Sequence, residues 1–244
     1  MTEHNQISEK TLSQQLYEDL NDLITNTESG SRLPSEPKLA KQLGVSRATL
    51  REAMRIFENQ GLIHRRQGVG TFVVPPSQII ETGLEVLESI LNQAERKDLE
   101  INVGPFSITE RDAKEDECEH LNLTDDCQVL QVAWVMETPD RPVAYLVDVL
   151  PPGMLDKEDL RMQFRGSVLD ILLNKQHLEL TTSRTEISAV TAPSNVAKAL
   201  GIQRGDVVLC LTATLYTKDG RIIDYSHSYY LPGYFKFHVV RRVN

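Results

Sequence analysis

Cysteine is scarce in this 244-residue chain: Cys118, Cys127 and Cys210 are its three. They are odd in number and form no Cys-x-x-Cys pair, which argues against a disulfide framework or a zinc ribbon and for reduced thiols. Aromatic residues make up 6 %, with one tryptophan, Trp134. Long apolar runs are missing too; Val207–Leu211 is among the longest and is far too short to cross a bilayer. The opening residues MTEHNQISEK lack the basic-then-apolar layout of a secretory leader. These absences imply a cytoplasmic protein that makes no membrane contact. His64, His177, His227 and His238 have no ligand spacing with one another or with the cysteines, so no metal is expected. No nucleophile elbow occurs. Gly68-x-Gly70 lacks the strand-to-helix context of a dinucleotide loop. No catalytic residue and no cofactor are expected.

What is present is an uneven charge. The chain carries a formal net charge of −9. Yet residues 31–71 hold eight basic side chains against three acidic ones, while residues 76–244 hold 17 against 26. A basic island on an acidic body fits a local polyanion contact. A solvated face would have the same composition, and the acidic stretches "ERKDLE" and "KEDEC" read as solvated helix surface.

Hydrophobic periodicity locates the elements around that island. Leu12, Leu16, Leu20, Leu23 and Ile24 recur at helical spacing and predict a helix over 11–26. Ser35 precedes "EPKLAKQL" as an N-cap, with Pro37 in the first turn. Ser46 caps a third helix whose apolar stripe is Leu50, Ala53, Met54 and Phe57, with Gly61 beyond its end. "LIHRR" and "GTFVV" alternate as strands around the tight link "QGVG". This is the plan of a winged helix-turn-helix. The third helix would be the recognition element, because its stripe turns inward and leaves Arg47, Thr49, Arg51 and Arg55 outside. Arg47 and Arg51 stand one turn apart, with the planar donor fork that suits guanine or phosphate. Gly68 and Gly70 let a wing tip approach DNA closely, beside Arg65 and Arg66.

Residues 32–73, "RLPSEPKLAKQLGVSRATLREAMRIFENQGLIHRRQGVGTFV", resemble the DNA-binding signature of GntR-family bacterial transcription regulators almost continuously. The resemblance places operator contacts at Arg47, Thr49 and Arg51 of the recognition helix and at Gly68 of the wing, with Arg32 and Ser35 near the backbone. Relatives often carry a basic residue where Pro37 stands, so that phosphate contact is either lost here or shifted to Lys38.

Beyond the proline-marked "VVPPSQ" the pattern becomes α+β. The expected division is a DNA-binding domain over 1–75, a linker over 76–82 and a second domain over 83–244. Strands are predicted over 105–110, 128–137, 143–150, 181–191, 207–217 and 221–230, and helices over 113–121 and 194–200. "HLNLTDDCQVLQV" and "ALGIQRGDVVLCL" align at an offset of 79, and both halves end in Leu-Pro. Such a repeat would build one antiparallel sheet from two like halves.

This region, most clearly residues 200–237, is similar to the UTRA ligand-binding domain of the family's HutC branch, which shares the chorismate lyase fold and senses small metabolites. The expected fold is therefore α+β: a winged helix-turn-helix followed by a chorismate-lyase-like antiparallel sheet domain with helices. The resemblance implies a homodimeric repressor of a double-stranded operator, released by a small-molecule effector. Members that sense sugar phosphates present two arginines and a glutamate around the first hairpin; those positions are Trp134, Met136 and Leu146 here. A sugar phosphate is thus not expected, and neither is a lyase activity that needs the same arginines. Trp134, Met136 and Leu146 share strand parity and face one cavity, or else serve as plain core. Asp224, Ser226, Ser228 and Tyr230 alternate on one strand, and the resemblance brings Asp224 and Tyr230 to the ligand. Ser167 opens the helix "SVLDILL", as an N-cap or a ligand contact; relatives often carry tyrosine where Leu169 stands.

Overall fold

The computed structural model describes residues 11–66, 68–75, 79–124, 126–175 and 177–243. The chain divides into two compact units, Met1–Ser77 and Gln78–Asn244.

The first unit runs α1 (Leu12–Thr25), α2 (Glu36–Gln42), α3 (Arg47–Asn59), β1 (Ile63–Arg66) and β2 (Gly70–Val73). A capping box starts α1, in which Thr11 Oγ1 accepts from the Gln14 N–H and the Gln14 side chain accepts from the Thr11 N–H. Leu16, Leu20 and Ile24 are buried, but Leu12, in the first turn, stays exposed. They pack with Leu39 of α2, with Leu50, Met54 and Phe57 of α3, and with Ile63 of β1. Each such side chain contributes roughly 1.5–3 kcal/mol by leaving water. Tyr17 stacks on Phe57 with ring centroids 4.6 Å apart. Strands β1 and β2 form the antiparallel wing, Ile63 opposite Val73 and Arg66 opposite Gly70. An arm unforeseen from the pattern joins them: Leu33 N–H donates to Thr71 O at 2.8 Å and Val73 N–H to Ser31 O at 3.0 Å.

The second unit runs β3 (Ile80–Gly83), α4 (Ile90–Arg96), β4 (Asn102–Asp112), α5 (Glu115–Leu121), β5 (Gln128–Glu137), β6 (Pro142–Leu150), α6 (Lys157–Gln163), α7 (Val168–Leu173), β7 (Leu180–Thr191), α8 (Ser194–Leu200), β8 (Val207–Thr217), β9 (Ile222–Tyr230) and β10 (Phe235–His238). Its main sheet is antiparallel with strand order β4-β5-β6-β9-β8-β7. Strands β4–β6 come from the first sequence repeat and β7–β9 from the second, so the halves meet at β6–β9. The helices α5 and α8 end alike, at Asn122 and Gly201, both left-handed with φ 53° and 64°. Asparagine and glycine are the residues that tolerate that conformation.

Two expectations need correction. Residues 80–82, expected within the linker, lie in β3, which pairs parallel with β10, Ile80 opposite Phe235. "KEDEC" is not wholly solvated: Glu117 is buried at 3 % exposure. Arg111 of β4 reaches it with a two-pronged bond, Nη1 to Oε2 and Nη2 to Oε1, both 2.6 Å. Burial alone would raise the Glu117 pKa, but Arg111 and the Lys114 N–H outweigh it and hold it at about 2.

Candidate nucleic-acid interface and ligand cavity

The alternation of α3 gives the basic face its geometry. Leu50, Met54 and Phe57 turn inward, at 0–1 % exposure, so the residues a turn apart on the other side turn outward. Arg47 and Arg51 are both exposed there. The Ser46 hydroxyl accepts from the Thr49 N–H at 3.0 Å and lies 2.8 Å from Thr49 Oγ1, so Thr49 helps to hold the helix start. Arg51 Nη2 donates to Glu36 Oε2 at 3.2 Å. Arg55 is half-buried and bonded to Glu52, Nη2 to Oε1 at 2.5 Å. Ser35 stands at the N-cap of α2 without a side-chain cap bond, and Lys38 is exposed on that helix.

At the wing, Arg66 lies over Phe72, 5.4 Å from its centroid. Gly68 is exposed with φ +74°. Arg32 bridges to Phe72 through its backbone and lays its guanidinium across Gly70, where a Cβ would collide with it. Arg65 ties the wing to the helices through Glu36 at 3.5 Å and Glu58 at 3.7 Å. The expected DNA-facing residues thus fall into two groups, one along α2 and α3 and one on the wing. Glu36, which the sequence pattern did not single out, takes an arginine from each.

The second unit encloses a cavity of about 570 Å³. Even-numbered residues of β5, β6 and β9 and odd-numbered residues of β8 share one sheet face. That parity brings Trp134, Met136, Leu146, Asp224 and Tyr230 to one wall. Trp134 and Met136 are at 2 % and 0 % exposure, so they are core and cavity wall at once. Ser167 also borders the cavity, and its hydroxyl accepts from the Asp170 N–H at 3.0 Å, capping α7. Ser89 caps α4 in the same way and donates to Asp170 Oδ2 at 2.8 Å. Asp170 therefore fastens the starts of α4 and α7 together and places a negative charge at the positive end of α7.

Sequence reasoning missed Asp148. It sits on β6 opposite Ser226, which places it diagonally from Asp224 on the same face. Burial pushes its pKa up to about 7. Asp224 is raised well above its ordinary value by burial and then by the Asp148 charge, against a bond from Ser226. One oxygen of Asp224, Oδ1, is buried without a hydrogen-bond partner among the described residues. The signal was legible in principle: an aspartate at the parity of Leu146, within the apolar strand "PVAYLVDVL".

A winged, arginine-faced module in one unit and a ligand-sized cavity in the other define a ligand-responsive DNA-binding regulator. Comparison with known proteins makes that specific. The profile described as "Bacterial regulatory proteins, gntR family" matches residues 12–73, and the UTRA domain matches residues 99–236. The HTH-type transcriptional regulator Rv0792c of Mycobacterium tuberculosis is 31 % identical over 218 residues, covering 86 % of this chain and 77 % of that one. The histidine utilization repressor of Pseudomonas aeruginosa is 28 % identical over 82 % of this chain and 80 % of its own length. The crystal structure of PhnF from Mycobacterium smegmatis shares the fold, with a TM-score of 0.61 at 23 % identity over 94 % of this chain and all of that one. The chain belongs to the GntR family of bacterial transcription regulators, HutC branch, with a UTRA effector-binding domain. No helix among the described residues is long and apolar enough to cross a membrane.

Proposed function

We propose that the chain is a cytoplasmic repressor that binds its operator as a homodimer and is released by an effector other than a sugar phosphate. The outward Arg47 and Arg51 of α3, set opposite a fully buried face, carry the DNA reading. In this reading Arg47, Thr49 and Arg51 meet base edges and nearby phosphates in the major groove. Arg32, Arg66 and Gly68 bring the wing to the flanking backbone, with Ser35, Lys38 and Arg55 on phosphates beside α2 and α3. A two-fold dimer would match a pseudo-palindromic site.

Control follows from linkage: the effector binds the DNA-released arrangement more tightly than the docked one, and weakens operator binding by the same factor. Trp134, Met136, Leu146, Ser167, Asp224 and Tyr230 would contact it. Trp134 and Met136 stand where cationic donors for a phosphate would be needed, and a buried phosphate without such donors loses its charge-assisted bonds.

The test is a duplex selected from random sequence by the full-length protein and then titrated with wild type and Arg51→Ala. The variant should lose at least tenfold in specific affinity while its binding to random duplex falls less. An Arg51→Ala protein that binds the selected site like wild type overturns the recognition-helix assignment.

A further inference from the structure

The charges around the cavity are all of one sign. Glu85, Glu88, Asp148 and Asp224 border it, and among the described residues that border it none is Lys, Arg or His. Two of these acids already have partners. Glu88 pairs with Arg96 at 2.5 Å, and Glu85 accepts from the Val240 N–H. Asp148 and Asp224 are different. No ion pair reaches either of them among the described residues, and Asp224, at 7 % exposure, turns an unpartnered oxygen inward. Two carboxyl groups at diagonal positions of adjacent strands repel when both are ionised, so the pair is relieved either by keeping a proton or by something positive lying between them.

The rest of the lining narrows what that is. Trp134, Tyr230 and Phe237 present aromatic surface, which attracts a cation as well as an apolar body. The volume of about 570 Å³ is that of a metabolite pocket rather than of a bare ion. An anion would find acidic side chains and no cationic donor among the described lining residues. We propose, resting on the reading of this domain as an effector sensor, that the cavity takes a small organic cation, an amine or guanidine on a partly apolar body, whose charged head sits between the carboxyl groups of Asp148 and Asp224. The head group supplies the hydrogen-bond donors that the Asp224 oxygen lacks, and its positive charge removes the repulsion between the two acids. The apolar body lies along Trp134, Met136 and Leu146. Specificity for charge then comes from the acid pair and specificity for shape from the apolar wall.

The experiment uses the full-length protein and a matched set of probes in thermal-shift and calorimetric titrations. Phenethylamine and agmatine are the cations, 2-phenylethanol the neutral counterpart, phenylacetate and glucose 6-phosphate the anions, and magnesium chloride the inorganic control. At least one of the two cations should raise the melting temperature and bind tenfold or more tightly than 2-phenylethanol. Asp148→Asn and Asp224→Asn should each weaken that cation at least tenfold, while leaving 2-phenylethanol unchanged or tighter. The proposal is overturned if neither cation stabilises the protein, if an anion or magnesium alone does so as well, or if both Asn variants bind the cation like wild type. Should either variant fail to fold, the wild-type ranking of cation over alcohol and anion decides. A cation bound through these aspartates that leaves operator affinity unchanged upholds the site and sinks the effector reading instead.

Discussion

Arg51 of α3 and Glu36 of α2 are joined by a 3.2 Å charge-assisted bond, and the same carboxylate holds Arg65 of the wing. On the proposed DNA face, one acid thus partly neutralises a cation of each group. It restrains the arginines in the free protein, and in that reading it would stand close to the incoming phosphates.

Glu36→Gln should therefore tighten binding to random duplex by about 3- to 10-fold at 0.1 M salt, since one like charge leaves the phosphate-facing surface. Fluorescence anisotropy against salt concentration checks it. Stability should fall by only a few tenths of a kcal/mol, from the lost acid in the first turn of α2. Unchanged non-specific affinity would show that Glu36 lies outside the DNA footprint.

Gly70 adopts φ +148° under the Arg32 guanidinium. Gly70→Ala strains the backbone as well as pushing Arg32 aside, so a loss of about 1–2 kcal/mol is expected. Arg32→Ala added to it should relieve the collision but not the backbone strain, and should recover little. Chemical denaturation of the two variants separates these contributions; full recovery in the double variant would mean that the collision alone mattered.

The Arg111–Glu117 pair fastens α5 to β4. The Glu117 pKa in the folded chain lies below its ordinary value, so the pair stabilises fully above about pH 4.5 and loses that contribution as pH falls toward about 2. Glu117→Gln should destabilise by about 2 kcal/mol at pH 7, less than a fully buried broken pair because Arg111 keeps some water. The gap from wild type should close on acidification, which acid titrations followed by circular dichroism would detect.

The aspartates of the cavity act in the opposite sense. Burial raises the Asp148 pKa, so the folded chain keeps a proton that the unfolded chain has already released. Stability from this source is lost as pH rises from about 4 to about 7. Without ligand, Asp148→Asn should melt about 3–6 °C above wild type at pH 8 and close to it at pH 4. Equal melting temperatures at pH 8 would mean that Asp148 ionises freely in the folded protein.

Much of this fold was legible because its signals are local. The limits of β5, β8 and α8 follow from alternation, from glycine and from the duplicated pattern, and α3 follows from its stripe and its Ser46 cap. What stayed hidden depends on distant partners. Strands β3 and β10 are four residues each and exist by pairing with one another across about 150 residues of chain. Helices α4 and α6, at seven residues each, are too short for periodicity to mark. Glu117 looked solvated because its partner Arg111 lies on another element. At the cavity the apolar wall could be reached from the resemblance together with strand parity. Asp148 could be read by the same parity, but its meaning comes only beside Asp224, which lies on the neighbouring strand β9 from the other repeat.

The duplicated sheet has a kinetic consequence. Its halves are joined edge to edge at β6–β9, between strands separated by more than seventy residues. Each half can gather its hairpin early, whereas the join must wait for a long loop to close. Trp134 and Asp148 belong to one half and Asp224 and Tyr230 to the other, so the ligand-sized hollow is among the last features to be assembled. A half-folded domain would have nothing to sense with.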